Sequence, residues 1–243
     1  MNKSQLTNFI TKYTLGGEIK STKWTSNGSS LSTRFISGDK SVVGSVVLSK
    51  FNHLSPCELG VYNTGQLSSL LSVLGDDVEV SLSNSGDKFI SMEFVDTKRK
   101  TKSKYMLSDL SVIPTPPELK NLPDSFELGI KVDPYFVNTF ISGKGALSEA
   151  ETFTILTENN ETKIVIGYAS IASNRVTIPV ETTKYKEIEP ISFNANMFAS
   201  ILNANKDCES ATLEVSSAGL SRIQFSIDNY NSEYFLVSTQ AVN

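Results

Sequence analysis

The chain has 243 residues, of which 39% are hydrophobic and 20% charged, and its formal net charge at pH 7 is -4. This composition is typical of a soluble globular protein, and no run approaches the roughly 20 apolar residues of a membrane span. The first residues lack the apolar core of a signal peptide, so we expect an intracellular protein. Cys57 and Cys208 have no CxxC neighbour, which predicts free thiols and gives no indication of a disulfide framework or a zinc site.

The first predicted element is a helix over residues 5–14. Leu6, Phe9, Ile10 and Tyr13 recur at the spacing of one helix face. Segments with β-forming composition follow at 19–24, 31–36 and 42–51.

The stretch 62–94 predicts a helix, a strand, a turn at Gly86 and a returning strand. Asn63 is expected to cap the helix by accepting from free amides of its first turn. The same pattern recurs 131 to 133 residues later, where Asn194 takes the place of the cap and Gly219 that of the turn. Because caps, helix faces, turn and strand phase recur together, the sequence predicts a tandem duplication.

The second half repeats the order of the first. An Asp133-Pro134 start predicts a helix over 134–145, and a second helix is expected over 194–206. The predicted strands are 153–156, 163–171 and 176–180, and Asn159-Asn160 is the predicted hairpin turn. The order helix, strands, helix, strands predicts an α+β fold of two similar domains, each with two helices packed on an antiparallel sheet.

A segment rich in proline separates the two copies. The sequence predicts an N-terminal domain over 1–111, a semi-rigid connector over 112–126 and a C-terminal domain over 127–243. Residues 1–112 contain 13 basic and 10 acidic residues, whereas the remainder contains 9 and 16. This asymmetry favours a head-to-tail assembly in which the first domain of one subunit meets the second domain of the next.

The four predicted helices contain no Asp or Glu in 47 residues, although the chain has 26 acids. A neutral-to-basic helical layer is what a surface facing a polyanion needs, because acids there would repel phosphate. The alternative is that short helices rich in Ser and Asn simply contain few acids. On the first interpretation, the residues expected to face DNA are Lys12, Lys144, Lys206, Asn8, Ser69, Asn138 and Asn203.

Five cations occur within seven residues in the hairpin before Tyr105. Three interpretations compete: protection of a sheet edge, contact with nucleic acid, or pairing with the acidic second domain of a neighbour. We favour an edge or subunit-interface role, and the residues concerned are Lys98, Arg99, Lys100, Lys102, Lys104 and Tyr105.

No catalytic centre is predicted. His53 has no paired acid or nucleophile motif beside it. The sequence Gly143-Lys144-Gly145 lacks the spacing of a phosphate loop, and a solvated turn explains the acids Asp76, Asp77 and Glu79 better than a cation site. We therefore expect neither enzymatic activity nor a cofactor or metal.

The duplicated unit, the helices without acids and the proline-rich connector together resemble a DNA sliding clamp of the wider PCNA-like family. In particular, Tyr62-Asn63 through Leu70-Leu71-Ser72-Val73-Leu74-Gly75-Asp76-Asp77-Val78-Glu79-Val80-Ser81 resembles the matching helix and strand of the T-even-type bacteriophage clamps. Lys163-Ile164-Val165-Ile166-Gly167, after the helix that ends at Ser142-Gly143-Lys144-Gly145, is similar to their second domain.

This resemblance implies a homotrimeric ring, closed head to tail, that encircles double-stranded DNA without sequence preference and tethers a replicative DNA polymerase to give processive viral DNA replication. It also implies an ATP-dependent clamp loader as a partner and the cytoplasm of an infected host cell as the location. In the wider family a partner peptide docks beside the connector, so the expected groove residues are Val112, Ile113, Pro114 and Leu119. The alternative function is that of a β-rich structural or scaffold protein of a virion.

Overall fold

The described residues form four α-helices and sixteen strands, which fall into two compact units. The computed structural model describes residues 1–119, 122–123, 125–169 and 174–239. The first unit comprises Met1–Gly38, Gly44–Pro117 and Asp228–Ser232. The second comprises Asp39–Val43 and the described parts of Glu118–Ile227 and Glu233–Asn243. The domain limits given above remain a prediction.

The first half of the chain contains two α-helices and seven strands. They are α1 (Lys3–Thr14), β1 (Thr22–Ser26), β2 (Ser30–Ile36), β3 (Val42–Ser49), β4 (Cys57–Val61), α2 (Thr64–Ser72), β5 (Val78–Ser85), β6 (Lys88–Asp96) and β7 (Lys102–Met106). Short 3-10 turns occupy Leu15–Gly17 and Leu110–Val112. The strands are ordered β3-β2-β1-β4 and, in a separate sheet, β5-β6-β7.

The described part of the second half also contains two α-helices, with nine strands. Its elements are β8 (Leu128–Val132), α3 (Pro134–Ala146), β9 (Thr152–Glu158), β10 (Glu161–Ile166), β11 (Val176–Val180), β12 (Thr182–Lys184), β13 (Ile191–Asn194), α4 (Ala195–Ala204), β14 (Ala211–Ser216), β15 (Leu220–Ile227) and β16 (Tyr230–Val237). The strand orders are β12-β8-β14-β15-β16 and β11-β10-β9-β13. The predicted α+β fold with two helices per copy is therefore confirmed.

Each unit has an aromatic core beneath its helices. In the first, the rings of Phe9 and Trp24 meet edge to face with centroids 5.5 Å apart. In the second, Phe198 lies 4.9 Å from Phe140 and 4.9 Å from Phe153. Such pairs add about 0.5–1.5 kcal/mol to the free energy of unfolding beyond the area they bury, so they fix the helices on the sheets.

The predicted helix caps are confirmed. The side chains of Asn63, Asp133 and Asn194 accept hydrogen bonds from the backbone N–H groups three residues further on, at 2.9, 2.9 and 3.0 Å. Helix α1 begins two residues before its predicted start because Asn2 accepts from the Ser4 amide at 3.0 Å. Asn159 and Asn160 both have positive φ, as a two-residue hairpin turn requires.

Sequence patterns do not predict four of the strands, namely β4, β8, β12 and β13. They have five residues or fewer. Pairing with distant strands makes them part of a sheet, as when β4 pairs with β1 and β8 pairs with β14. The predicted strand 163–171 is wrong in length, since β10 ends at Ile166 and Gly167 follows with a φ of 77°. Its last predicted residues, 170 and 171, lie outside the described part of the chain.

Candidate nucleic-acid interface

Each helix buries an apolar stripe and presents the opposite side to solvent. In α1, for example, Leu6 and Phe9 are at most 1% exposed, whereas Asn8 and Thr11 are exposed. We call the exposed positions of the four helices the outer helix faces. They are Ser4, Asn8, Thr11, Gly65, Gln66, Ser69, Ser72, Pro134, Tyr135, Asn138, Ser142, Gly145, Ala146, Asn196 and Asn203.

The predicted absence of acids from the helices is confirmed for the helix limits of the structure. Helices α1 to α4 have no Asp or Glu anywhere along their lengths. The outer helix faces are also free of Lys and Arg, and most of their side chains are hydroxyls and carboxamides. Their surface can therefore donate and accept hydrogen bonds but has no formal charge of its own.

Lys12 does not lie on the outer face of α1. The residue is 6% exposed, and its ammonium lies 5.5 Å from the centroid of the Tyr230 ring. The Tyr230 hydroxyl in turn donates to the Gln5 carbonyl at 3.1 Å, and burial raises the pKa of Tyr230. A cation over an aromatic face stabilises the fold, so the prediction that Lys12 faces DNA is corrected to a packing role within the first unit.

Lys144 is likewise engaged by the protein. It is 8% exposed, and its ammonium donates to the carbonyl oxygens of Ser148 at 2.8 Å and Leu147 at 3.4 Å. These carbonyls lie just beyond the C-terminus of α3, where a cation is favoured by the helix dipole. Lys206 is exposed but lies outside the helix, because α4 ends at Ala204. None of the three lysines therefore belongs to the outer helix faces.

The four polar residues predicted beside these lysines are on the outer helix faces. Asn8, Ser69, Asn138 and Asn203 are all exposed, one on each helix. The Ser69 hydroxyl donates to the Gly65 carbonyl at 3.0 Å, and Asn8 hydrogen-bonds the Tyr230 hydroxyl. Their contact with DNA remains a prediction.

The cationic hairpin leads into β7, which lies at one edge of the sheet β5-β6-β7. Lys98 forms an ion pair with Asp77 at 2.8 Å, and this hydrogen bond raises the pKa of Lys98 and lowers that of Asp77. Lys102 is 3.8 Å from Glu93 on the neighbouring strand. Arg99, Lys100 and Lys104 are exposed. An edge position agrees with one of the three interpretations, and a subunit interface here remains a prediction.

Tyr105 was predicted to lie at the edge or subunit interface with the hairpin cations, but its side chain is buried. It is 3% exposed, and its hydroxyl oxygen accepts from the Asn63 amide at 2.9 Å. Burial raises the pKa of this phenol. The Tyr105 side chain therefore stabilises the start of α2, while its backbone forms part of strand β7.

The start of the connector is held against the first unit. Arg34 donates to the Pro117 carbonyl at 2.9 Å, and Lys23 donates to the Thr115 hydroxyl at 3.0 Å. Val112 is 57% exposed, but Ile113 is 3% exposed. A side chain buried in this way cannot line an open groove, so Ile113 is removed from the predicted peptide site.

The remaining predicted groove residues are accessible. Pro114 is exposed, and Leu119 is partly exposed at the end of the described connector segment. With Val112 they remain the predicted contacts for a partner peptide.

Within the described ranges, no group of three or more His, Cys, Asp or Glu side chains could hold a metal ion. His53 packs its ring against Phe51 with centroids 5.2 Å apart, and partial burial lowers its pKa. The two cysteines are not joined in a disulfide, with Cys208 buried and Cys57 half-buried. No helix in the described part of the chain is long and apolar enough to cross a membrane.

Comparison with known proteins identifies the fold. No protein-family model matches the chain, and no curated protein matches it. Among solved structures, the crystal structure of Proliferating Cellular Nuclear Antigen from Entamoeba histolytica is similar, with a TM-score of 0.75 and 15% sequence identity over 98% of this chain and 96% of that chain. The protein therefore has the duplicated α+β fold of the sliding clamps, as the sequence resemblance implied.

Proposed function

We propose that this protein is a DNA sliding clamp, which encircles duplex DNA and tethers the replicative polymerase during viral DNA replication. The observation that carries the proposal is the absence of acidic residues from all four helices of a clamp-like fold in an acidic protein. Acids on a surface that encloses DNA would repel its phosphates at every position along the duplex.

A clamp acts by topology and needs no chemistry of its own. A closed ring remains on DNA without tight contacts, so weak and water-mediated interactions permit sliding. We accordingly propose that the protein is not an enzyme, and that a separate ATP-dependent loader opens and places it. A partner peptide of the polymerase would contact Val112, Pro114 and Leu119.

The ring is proposed to be a homotrimer closed head to tail. Strand β7 offers an unpaired edge in the first unit, and β11 ends the sheet β11-β10-β9-β13 in the second. The first half of the chain has an excess of basic residues and the second an excess of acidic residues, which favours contact between unlike halves. Addition of one edge strand to another would join the subunits by backbone hydrogen bonds.

The finer assignment to T-even-type bacteriophages rests on the short matches at 62–81 and 163–167. It implies that the protein works in the cytoplasm of an infected host cell. Stimulation of a T-even-type polymerase on a primed circle would support this assignment, and stimulation only of unrelated polymerases would contradict it.

The proposed function is tested by measuring whether the protein stays topologically linked to circular DNA. The full-length protein is incubated with a nicked circular plasmid under crowding conditions, and the complex is isolated by gel filtration. We expect the protein to be retained on the circle and lost when a restriction enzyme linearises the DNA. The matched variants are Asn8→Glu with Asn138→Glu on the outer helix faces, which should reduce retention, and Ser81→Glu on exposed β5, which should not.

Sedimentation supplies the independent measurement of assembly. We expect a mass about three times the chain mass of 26.6 kDa. A protein that assembles but shows no topological retention would be a scaffold rather than a clamp. A strict monomer at all concentrations would contradict the ring itself.

A further inference from the structure

The outer helix faces lack not only acids but every formal charge. A typical protein surface has about 25–35% charged residues, so about four of these fifteen positions would be expected to be charged. None is. The carboxamides of Asn138 and Asn203 are exposed there, whereas Asn8 hydrogen-bonds Tyr230 and the Ser69 hydroxyl already donates to the Gly65 carbonyl. A surface that binds phosphate by ion pairs would present lysine or arginine at these positions.

The lysines that the helices do contain are directed into the protein. Lys3 donates to the Leu74 carbonyl, Lys144 donates to the carbonyls beyond α3, and Lys12 lies over the Tyr230 ring. Their ammonium groups thus already have protein partners. These three lysines therefore contribute to packing within the protein, and the solvent-exposed donors of the helices are neutral.

We propose that the outer helix faces contact the DNA backbone through neutral carboxamide groups, such as those of Asn138 and Asn203, rather than through ion pairs. The proposal rests on the proposed clamp function and concerns how the same surface holds its DNA. Carboxamides donate to phosphate and sugar oxygens without base specificity. Because a neutral donor displaces no condensed counterion, such contacts do not change strongly with salt.

Exposed cations beside the helices, Lys20 and Lys206 among them, supply charge that the helix faces lack. Lys20 lies near the first turn of α2, where it lines one cavity with Asn63 and Gly65, and Lys206 follows the end of α4. Each phosphate neutralised by a cation adds about 0.9 to the slope of log affinity against log salt. Glu18 and Asp207 lie within two residues of these lysines in the sequence and reduce their effect. Part of the salt dependence of DNA contact at the helices should therefore come from Lys20 and Lys206.

The consequence for sliding is physical. A neutral hydrogen bond to one phosphate can be exchanged for a water and then for the next phosphate without separating two full charges. The surface thus follows the DNA backbone closely and releases it easily, which suits a protein held on its track by topology.

The experiment uses site-specific cross-linking in the full-length protein. A benzophenone amino acid replaces Asn138 on α3, or Ser81 on β5 as the control, and the protein is irradiated with a short linear duplex at about 50–200 mM NaCl, the range over which phosphate contacts are normally compared. The same measurement is made in a Lys20→Gln/Lys206→Gln chain. Trp24 fluorescence verifies that each variant is folded.

We expect cross-links from position 138 and not from position 81. In the double variant the yield at 138 should change less than about twofold across the salt range, since the ion pairs of Lys20 and Lys206 have been removed. Adding Ser69→Lys to that variant should restore a fall of about threefold over the same range, which corresponds to one added phosphate contact.

The outcomes separate the two proposals. A yield at 138 that still falls tenfold or more in the double variant would overturn neutral contact, because other cations would then hold the DNA. Loss of all cross-linking in the double variant while the parent chain cross-links would overturn it as well. Equal cross-linking from 138 and 81, or none from the parent chain, would overturn the assignment of the helices to DNA and with it the proposed function.

Discussion

Substitution of Tyr13 by Phe should destabilise the first unit by removing one buried oxygen atom. The indole N–H of Trp24 donates to the Tyr13 hydroxyl at 3.2 Å, and that hydroxyl donates to the Thr64 hydroxyl at 3.4 Å. Tyr13 and Trp24 are 0% exposed, and Thr64 is 1% exposed. Burial also raises the pKa of Tyr13 far above its ordinary range, so the phenol stays protonated and can act as this relay.

The magnitude follows from which group loses its partner. Thr64 keeps its hydrogen bond to the Lys20 carbonyl at 3.1 Å, but the indole N–H of Trp24 would be left buried with no acceptor. Leaving a buried donor unsatisfied costs about 1–3 kcal/mol of unfolding free energy. For an m-value of roughly 2 kcal/mol per molar urea, the midpoint of unfolding should fall by about 1 M.

Fluorescence is a selective assay for this loss because Trp24 is the only tryptophan in the chain. Equilibrium unfolding in urea, followed by Trp24 emission, reports on the core that the substitution alters. The control is Tyr62→Phe, the same chemical change on a ring that is 57% exposed, which should shift stability by less than about 0.5 kcal/mol. Equal stability of Tyr13→Phe and the parent chain, or an equal loss in both variants, would refute the reasoning.

Three further predictions concern Lys144, Lys104 and Asp96. Lys144→Met should lower the free energy of unfolding by about 1–2 kcal/mol, because it removes a charged donor from the carbonyls after α3. Thermal or urea melts measure this loss. Reduced DNA retention at unchanged stability would contradict the packing role of Lys144. Lys104→Pro should abolish self-association in sedimentation, whereas Lys104→Ala should preserve it. The Asp96 N–H donates to the Thr101 carbonyl and the Leu107 N–H to the Ile90 carbonyl. Because hydrogen-bonded and non-hydrogen-bonded pairs alternate in an antiparallel ladder, the backbone N–H of Lys104 points away from β6, to the free edge of β7. Association of the proline variant would exclude β7 as the interface. Asp96 accepts backbone hydrogen bonds from Arg99, Gly75 and Lys98, and these lower its pKa from the ordinary value of 3.8. The ionised carboxylate therefore stabilises the fold above pH 3.8. This stabilisation is lost as the pH falls through the lower pKa of the folded state. The melting temperatures of Asp96→Asn and the parent chain should therefore differ more at about pH 7 than at about pH 3, and a constant difference would show that ionisation of Asp96 does not contribute.

The helices and their repeat were determined by the sequence itself. Local signals define them: an amide or carboxylate side chain at the cap, apolar residues on one face and glycine where the backbone needs positive φ. These signals act within one or two turns of chain, so Asn63 and Asn194 could be recognised as caps without any tertiary contact. The absence of acids from the helices is also a property of the sequence, and it survives the small changes in helix limits.

Only the tertiary structure decided what the charged side chains do. Lys12, Lys144 and Lys206 look alike in the sequence, yet the first lies over Tyr230, more than 200 residues away in the chain, and the second binds carbonyls beyond its own helix. Whether a long side chain reaches solvent depends on what packs against its stem, and that partner is set by strand pairing across the chain. The same holds for the short strands β4 and β8, whose five residues become strands because β1 and β14 supply their hydrogen bonds. Sequence thus determined where the helices begin and which residues they lack, whereas long-range packing determined which of their side chains remain free to meet a partner.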